Sequence, residues 1–364
     1  MSIESIDLDD LLPERVRNVD LYDPMREPVI YDLSDNTSQW GMAPGVEARI
    51  ESLAQDDQVN LSRYPDIYAS KLKAALSKTY SQYLGETPTS QIVVGCGTDD
   101  VLDCIVRSVT DEGDLVINPT PSFPMAGYFA KFNGRRVQGI ELNQDGSLNV
   151  EAIISAQAKL VYLCSPNNPT GLSIELDQIL EVLGGTSGFV VVDEAYAEFS
   201  NQNCLELLER FPNLIVIRTF SKLHALAGLR IGYGIGNTRV ISAVEALRGP
   251  YKANIVAIEA AIASLSQIKF QNDVVSQTRQ TRDWFILELY KLGLTPIDSD
   301  ANFVFIPIKS VEGYKAAFDR AEIAIRIFED LAVYGSGVRI TIAPKEILIK
   351  VLNVLDSLLR GSAR

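Results

Sequence analysis

The stretch NLIVIRTFSKLHALAGLRIG, residues 213–232, decides how the rest of the chain is read. Leu214, Ile215, Val216 and Ile217 form an apolar run of the length of a buried strand, and Thr219, Ser221 and Lys222 follow at once, with Arg230 a short way on. A lysine seldom sits at the end of a buried strand unless it is paired or chemically used, because its charged form loses hydration there. Its two standard uses are a phosphate contact and an imine with an aldehyde. The hydroxyls and Arg230 suit a phosphate, which leaves Lys222 for the aldehyde. Pyridoxal 5′-phosphate carries both groups in one cofactor.

Working outward, short apolar runs alternate with helical or loop segments from residue 114 to 218: DLVINP, KLVYLCSPNNPTG, FVVVDEAYAEF and NLIVIRTFSK. Runs that are apolar at successive positions, separated by crossover-length connections, indicate an α/β fold with a mainly parallel sheet and helices on both sides. Ligands bind such sheets outside the carboxyl ends of the strands. Three runs finish there in polar residues: Asn167 and Asn168, then Asp193 and Tyr196, then Thr219, Ser221 and Lys222. Upstream, QIVVGCGTDDVLDCIVRSV passes from strand through glycines into a helix, which is an anion-binding arrangement, although such turns also serve packing alone. Residues 66–84 read as an amphipathic helix stopped by Gly85.

Beyond Tyr251 a long helical pattern, about 254–292 with a break near 266–269, gives way to the shorter elements NFVFIPI, IAIRIF, VRITIAP and a last helix from 345 to 359. The expected organisation is an N-terminal arm (1–30) with a short helix at 8–16, a large cofactor-binding domain (31–253) and a small α+β domain (254–364). A chain of 364 residues exceeds what a single core usually organises. The formal charge is −14 with Lys and Arg dispersed, which speaks against nucleic acid and anionic membrane as partners. No apolar run is long enough to span a bilayer, and the first residues lack the pattern of a secretory signal. Cys96, Cys104, Cys164 and Cys204 show no metal-binding or disulfide spacing, so reduced thiols and a cytoplasmic location are expected, with no metal site.

The cofactor's ring nitrogen must stay protonated to draw electrons from the substrate carbon, and a carboxylate on a strand end, Asp193, serves this. Taken alone, Asp193 reads first as a helix N-cap. Asn168 and Tyr196 are placed to hydrogen-bond the ring oxygen, although Asn in NNPTG also makes turns. Phe123, in PTPSFPM, is a candidate to stack on the ring or to anchor its loop. Arg339 lies within an apolar strand pattern, where a substrate anion or a structural ion pair would compensate its burial. His224 reads as packing near the site, because Lys222 already fills the role of base.

These residues resemble the fold-type I enzymes dependent on pyridoxal phosphate, and within them the class II aminotransferases related to histidinol-phosphate aminotransferase. SPNNPTG, VVVDEAY and TFSKLHALAGLRIGY, in this order and spacing, carry the likeness. It implies an aspartate aminotransferase-like large domain around a mainly parallel seven-stranded sheet. It also implies catalytic roles for Lys222 as the Schiff-base residue, Asp193 and Tyr196, and cofactor contacts from Thr98, Asp99, Phe123, Asn168, Thr219, Ser221 and Arg230. Tyr64 matches a tyrosine lent to the neighbouring subunit's phosphate, which implies a homodimer with shared sites. Tyr22, Asn36, Tyr251, Arg326 and Arg339 match substrate-lining positions. Where the family shows an Asn-Glu-Asn-Pro loop, this chain has Asp35-Asn36-Thr37-Ser38-Gln39-Trp40. The implied reaction moves an amino group between a donor, histidinol phosphate first, and 2-oxoglutarate. An aromatic amino acid aminotransferase, a lyase that decarboxylates threonine phosphate and a cofactor-binding protein without turnover are the alternatives.

Overall fold

The computed structural model describes residues 8–17, 29–56, 59–84 and 89–362. Its strands, in chain order, are β1 (Tyr31–Asp32), β2 (Ile92–Gly95), β3 (Leu115–Ile117), β4 (Arg136–Gln138), β5 (Leu160–Cys164), β6 (Phe189–Asp193), β7 (Leu214–Thr219), β8 (Gly232–Gly236), β9 (Phe303–Pro307), β10 (Ile323–Ala324), β11 (Arg326–Leu331) and β12 (Gly335–Thr341). Seven of them form one sheet in the order β2-β8-β7-β6-β5-β3-β4. β8 runs antiparallel to both of its neighbours and the remaining pairings are parallel.

The continuous apolar runs are explained by burial on both faces. Side chains alternate across a strand, so Val161, Leu163, Val190, Val192 and Val216 enter one core while Leu160, Tyr162, Val191, Ile215 and Ile217 enter the other. Helices cover both faces, among them Gly97–Val109, whose Val101, Leu102, Ile105 and Val106 are buried. β4 lies at the sheet edge with all three residues exposed. The sequence pattern did not single out β4 or β8.

A second, antiparallel sheet has the order β11-β12-β9 and shares a separate core with helix Lys345–Ser362. Tyr31 and Leu33 open the expected large domain, yet β1 pairs with β10 and Leu33 packs in this second core.

Some boundaries differ from the expected ones for local reasons. The helix anticipated over 66–84 begins at Ser70. Ahead of it, Ala69 takes a left-handed φ of 50°, and the Asp66 carboxylate accepts the N–H groups of Tyr68 (3.1 Å) and Ser70 (2.6 Å) as a cap. The short helix expected at 8–16 is two single turns, Leu8–Leu11 and Glu14–Arg17, separated at Pro13. The long C-terminal helical stretch breaks between Ile255–Leu265 and Ile268–Lys291, as anticipated. Among the described residues no helix is long and apolar enough to cross a membrane.

Candidate active site

A cavity of about 510 Å³ lies outside the carboxyl ends of β5, β6 and β7, the location where parallel sheets expose backbone and polar strand-end side chains together. Thirteen of the residues singled out from sequence line it: Asn36, Thr98, Asp99, Phe123, Asn168, Asp193, Tyr196, Thr219, Ser221, Lys222, Arg230, Arg326 and Arg339. Tyr64 and Tyr251 do not. Their rings stack on each other at 4.4 Å between centroids, 79% and 42% exposed, away from the cavity of their own chain. Tyr22 lies outside the described residues.

One end of the cavity is built for an anion. Helix Gly97–Val109 opens there, and its first N–H groups have no partner within the helix. Gly97 is left-handed (φ +79°), and a Cβ on it would stand 2.6 Å from Arg230 Nη2. A Cβ on Gly232 would stand 2.5 Å from the backbone nitrogen of Thr98. The two glycines therefore let Arg230 and the helix start close around the same small volume. Arg230 Nη2 meets Asp99 Oδ2 at 3.4 Å, with both side chains nearly half exposed, which is a loose contact that holds the guanidinium weakly. Ser221 N–H donates to Thr219 Oγ1 at 3.0 Å, and the Thr98 hydroxyl donates to the Arg218 carbonyl at 3.3 Å, so the hydroxyl-bearing turn and the helix start are tied together. Burial raises the Asp99 carboxyl, against the attraction of Arg230 and Lys222.

The other end gathers a carboxylate, a phenol and a lysine amine. Asp193, on the last position of β6, receives the Tyr162 hydroxyl on Oδ2 (2.7 Å) and the Ala195 N–H on Oδ1 (3.0 Å). Its burial pushes the carboxyl up to about 6, so it is still mainly ionised at neutral pH. Tyr196 accepts a hydrogen bond from Asn36 Nδ2 at 3.0 Å, which leaves its own O–H proton available to the cavity, and burial raises its pKa. Lys222 Nζ donates to the Asp35 carbonyl at 2.8 Å. Burial lowers it to about 8, reinforced by Arg339 and Arg230 and opposed by the charges of Asp35 and Asp99. A cavity with an anion cradle, a buried carboxylate, a phenol and a depressed lysine fits pyridoxal phosphate at each of that cofactor's polar corners.

Arg339, buried in the cavity wall, donates to Asn168 Oδ1 and to the Ser34 carbonyl. Arg326 stands directly opposite it in the β11–β12 register. The loop that departs from the family pattern is tied in from several sides. Asn36 has φ 60°; its N–H donates to Thr341 Oγ1 (3.1 Å), and its carbonyl accepts Asn302 Nδ2 (3.0 Å). Trp40 Nε1 donates to Thr278 Oγ1 at 2.8 Å.

Several supporting residues escaped the sequence reading. Arg218 and Glu194 form a buried two-nitrogen pair (2.9 and 2.6 Å) that clamps the ends of β6 and β7, and so fixes Asp193 relative to Thr219. An arginine at the fifth position of an otherwise apolar strand was the available signal. Ser34, Ala195, Phe328 and Leu331 also line the cavity, but small or apolar loop and hairpin residues announce nothing in sequence. His224 shares a 2.8 Å hydrogen bond with Ser264 through Nδ1 and lies against Phe220, with its pKa held down to about 4 by burial.

The sequence matches the family model "Aminotransferase class I and II" over residues 31–353. The histidinol-phosphate aminotransferase of Thermoanaerobacter pseudethanolicus is 32% identical over 358 residues, 97% of this chain and 99% of that protein. Among solved structures, histidinol-phosphate aminotransferase from Sinorhizobium meliloti in complex with pyridoxal-5′-phosphate superposes with a TM-score of 0.82 at 27% identity, covering 93% of this chain and 96% of that one. An aspartate aminotransferase from Thermotoga maritima, 21% identical, shares the fold at a TM-score of 0.80 over 92% of each chain.

Proposed function

This chain belongs to the class I and II aminotransferase family and is an aminotransferase dependent on pyridoxal 5′-phosphate, and from that premise we propose that its amino donor is histidinol phosphate and its acceptor 2-oxoglutarate. The observation that carries the donor is the arginine pair in the cavity wall. Arg326 and Arg339 are directly opposed on one face of an antiparallel pair, and both line the cavity. A donor with a phosphate in one half-reaction and an acceptor with a carboxylate in the other both answer that charge. Relatives named histidinol-phosphate aminotransferase that match nearly the whole chain support the same donor.

The helix start at Thr98 and Asp99, with Thr219, Ser221 and Arg230, would hold the cofactor's phosphate; Asp193 would pair with its ring nitrogen, Asn168 and Tyr196 with its ring oxygen, Phe123 would lie against its ring, and Lys222 would bond its aldehyde. When bound, the cofactor supplies a carbonyl that takes the donor's amino group and a protonated ring that draws off the electron pair left at the donor's carbon. Lys222 Nζ removes the proton from that carbon and returns a proton during transfer. Burial has brought its pKa to about 8, so a working share of the amine is neutral near neutral pH and can accept. The Asp193 carboxylate holds the ring proton, and the Tyr196 hydroxyl donates toward the ring oxygen. Arg339 orients the acceptor carboxylate, beside the loop that Asn36 and Trp40 tie to Thr341, Asn302 and Thr278.

The test is a half-reaction without acceptor. The purified holoenzyme is mixed in turn with histidinol phosphate, aromatic amino acids and threonine phosphate, and the cofactor absorbance is followed. Histidinol phosphate is expected to convert the cofactor fastest at equal concentration, with 2-oxoglutarate reversing the change. Faster conversion by an aromatic amino acid, or carbon dioxide release from threonine phosphate, overturns the assigned donor.

A further inference from the structure

Tyr162 stands on β5 wholly inside the apolar layer beneath helix Gly97–Val109. Its ring needs no explanation there, but its hydroxyl does, since a phenol oxygen in a dry core requires a partner. Tyr162 lies opposite Val191 in the parallel register of β5 and β6, two positions before Asp193, so the two side chains leave the sheet on one face. The hydroxyl spans that diagonal and donates to Asp193 Oδ2 at 2.7 Å. The Ala195 N–H occupies the other carboxylate oxygen at 3.0 Å. Asp193 lines the cavity and Tyr162 does not.

We infer that Tyr162 is a positioning residue for the cofactor: its hydroxyl holds the Asp193 carboxylate, ionised and in fixed orientation, against the ring nitrogen. The inference rests on the cofactor reading above. A carboxylate with one donor on each oxygen cannot turn about its last torsion, so its remaining lone pairs keep one direction. Its charge is opposed by burial and by the negative Asp99 and Glu194 that face it. Cys164 and Tyr196 also face it, both raised by burial and hence uncharged at neutral pH. Tyr162 and the Ala195 N–H pull the other way. Without the phenol, the carboxyl takes up a proton at a higher pH, and a protonated carboxyl no longer attracts a protonated ring.

Tyr162→Phe keeps the ring and removes the donor. Pyridoxal phosphate is titrated into the cofactor-free variant and into the unaltered protein across about pH 5 to 9. The expected result is a roughly tenfold weaker affinity at neutral pH, with the acid limb moved up by about one pH unit. In an Asp193→Asn background the same substitution is expected to change nothing, because its route of action is gone. A Tyr162→Phe protein with unaltered affinity and pH dependence overturns the inference, as does an undiminished effect in the Asp193→Asn background. Failure of the unaltered protein to bind pyridoxal phosphate sinks the functional reading instead. Independently of binding, and of whether the variant folds, carbon-13 NMR of the Asp193 carboxyl in the unaltered cofactor-free protein, assigned by its loss in Asp193→Asn, is expected to show an ionised group at pH about 7. A carboxyl still protonated there overturns the role given to Tyr162.

Discussion

Burial acts on two residues of the cavity in opposite directions, bringing Lys222 down to about 8 and Asp193 up to about 6. For Asp193 the sign of the linkage is definite. A carboxyl whose folded pKa lies above its unfolded value contributes stability that is present below about pH 4 and is lost as pH rises through about 6. The cofactor-free protein therefore carries a strain of about 3 kcal/mol above that range. Asp193→Asn removes it, so the melting temperature of the empty variant is expected to rise relative to the unaltered protein between about pH 4 and pH 7, while turnover is lost. Equal melting differences at both pH values would contradict this. Lys222 was legible in the sequence because a charge after an apolar run demands a reason. Tyr162 was not, since a tyrosine in LVYLC reads as core, and its partner becomes visible only in the register between two strands.

Among the elements, β8 shows why part of the sheet was hidden. Gly232, Gly234 and Gly236 alternate with Tyr233 and Ile235, so one face of the strand carries no side chains at all. A Cβ at Gly232 would strike the Thr98 backbone, and one at Gly234 would press Val101 at 3.1 Å. The close approach of helix Gly97–Val109 has erased the β-branched pattern by which strands are recognised. The same approach forms the anion cradle. Gly97→Ala combines an unfavourable φ with a methyl group in the place of the Arg230 guanidinium. It is expected to weaken pyridoxal phosphate binding by roughly ten- to a hundredfold in equilibrium dialysis, while circular dichroism of the cofactor-free protein changes little. Retained affinity would show that this helix start does not hold the phosphate. The parallel strands themselves were plain from their uninterrupted apolar runs, because burial on both faces leaves no polar alternation to confuse with a helix.

At the scale of the whole molecule, the proposed division into an arm (1–30), a large part (31–253) and a small part (254–364) is crossed at its front, where β1 pairs with β10 and Leu33 packs in the second core. Such contacts lie too far apart in sequence for any local pattern to announce them. The family resemblance implies a homodimer in which Tyr64 completes the neighbour's site, and Tyr64 stands exposed outside its own cavity. Tyr64→Phe and Lys222→Ala proteins, unfolded and refolded together, are then expected to regain about a quarter of the intact sites, measured as turnover. Activity no higher than the mean of the two separate variants would argue against sharing. The bonds from β12 to the segment after β1 have one further consequence. Thr341 Oγ1 donates to the Leu33 carbonyl and receives the Asn36 N–H, and Arg339 reaches the Ser34 carbonyl, at a sequence separation of 305 positions in the last two cases. At ordinary elongation rates the ribosome releases these two segments roughly 15 to 60 s apart. The front of the cavity must wait, unpaired, for the last strand to emerge, and a chain cut short before β12 never closes it. Turnover is thereby a report that the chain has been made at least through β12.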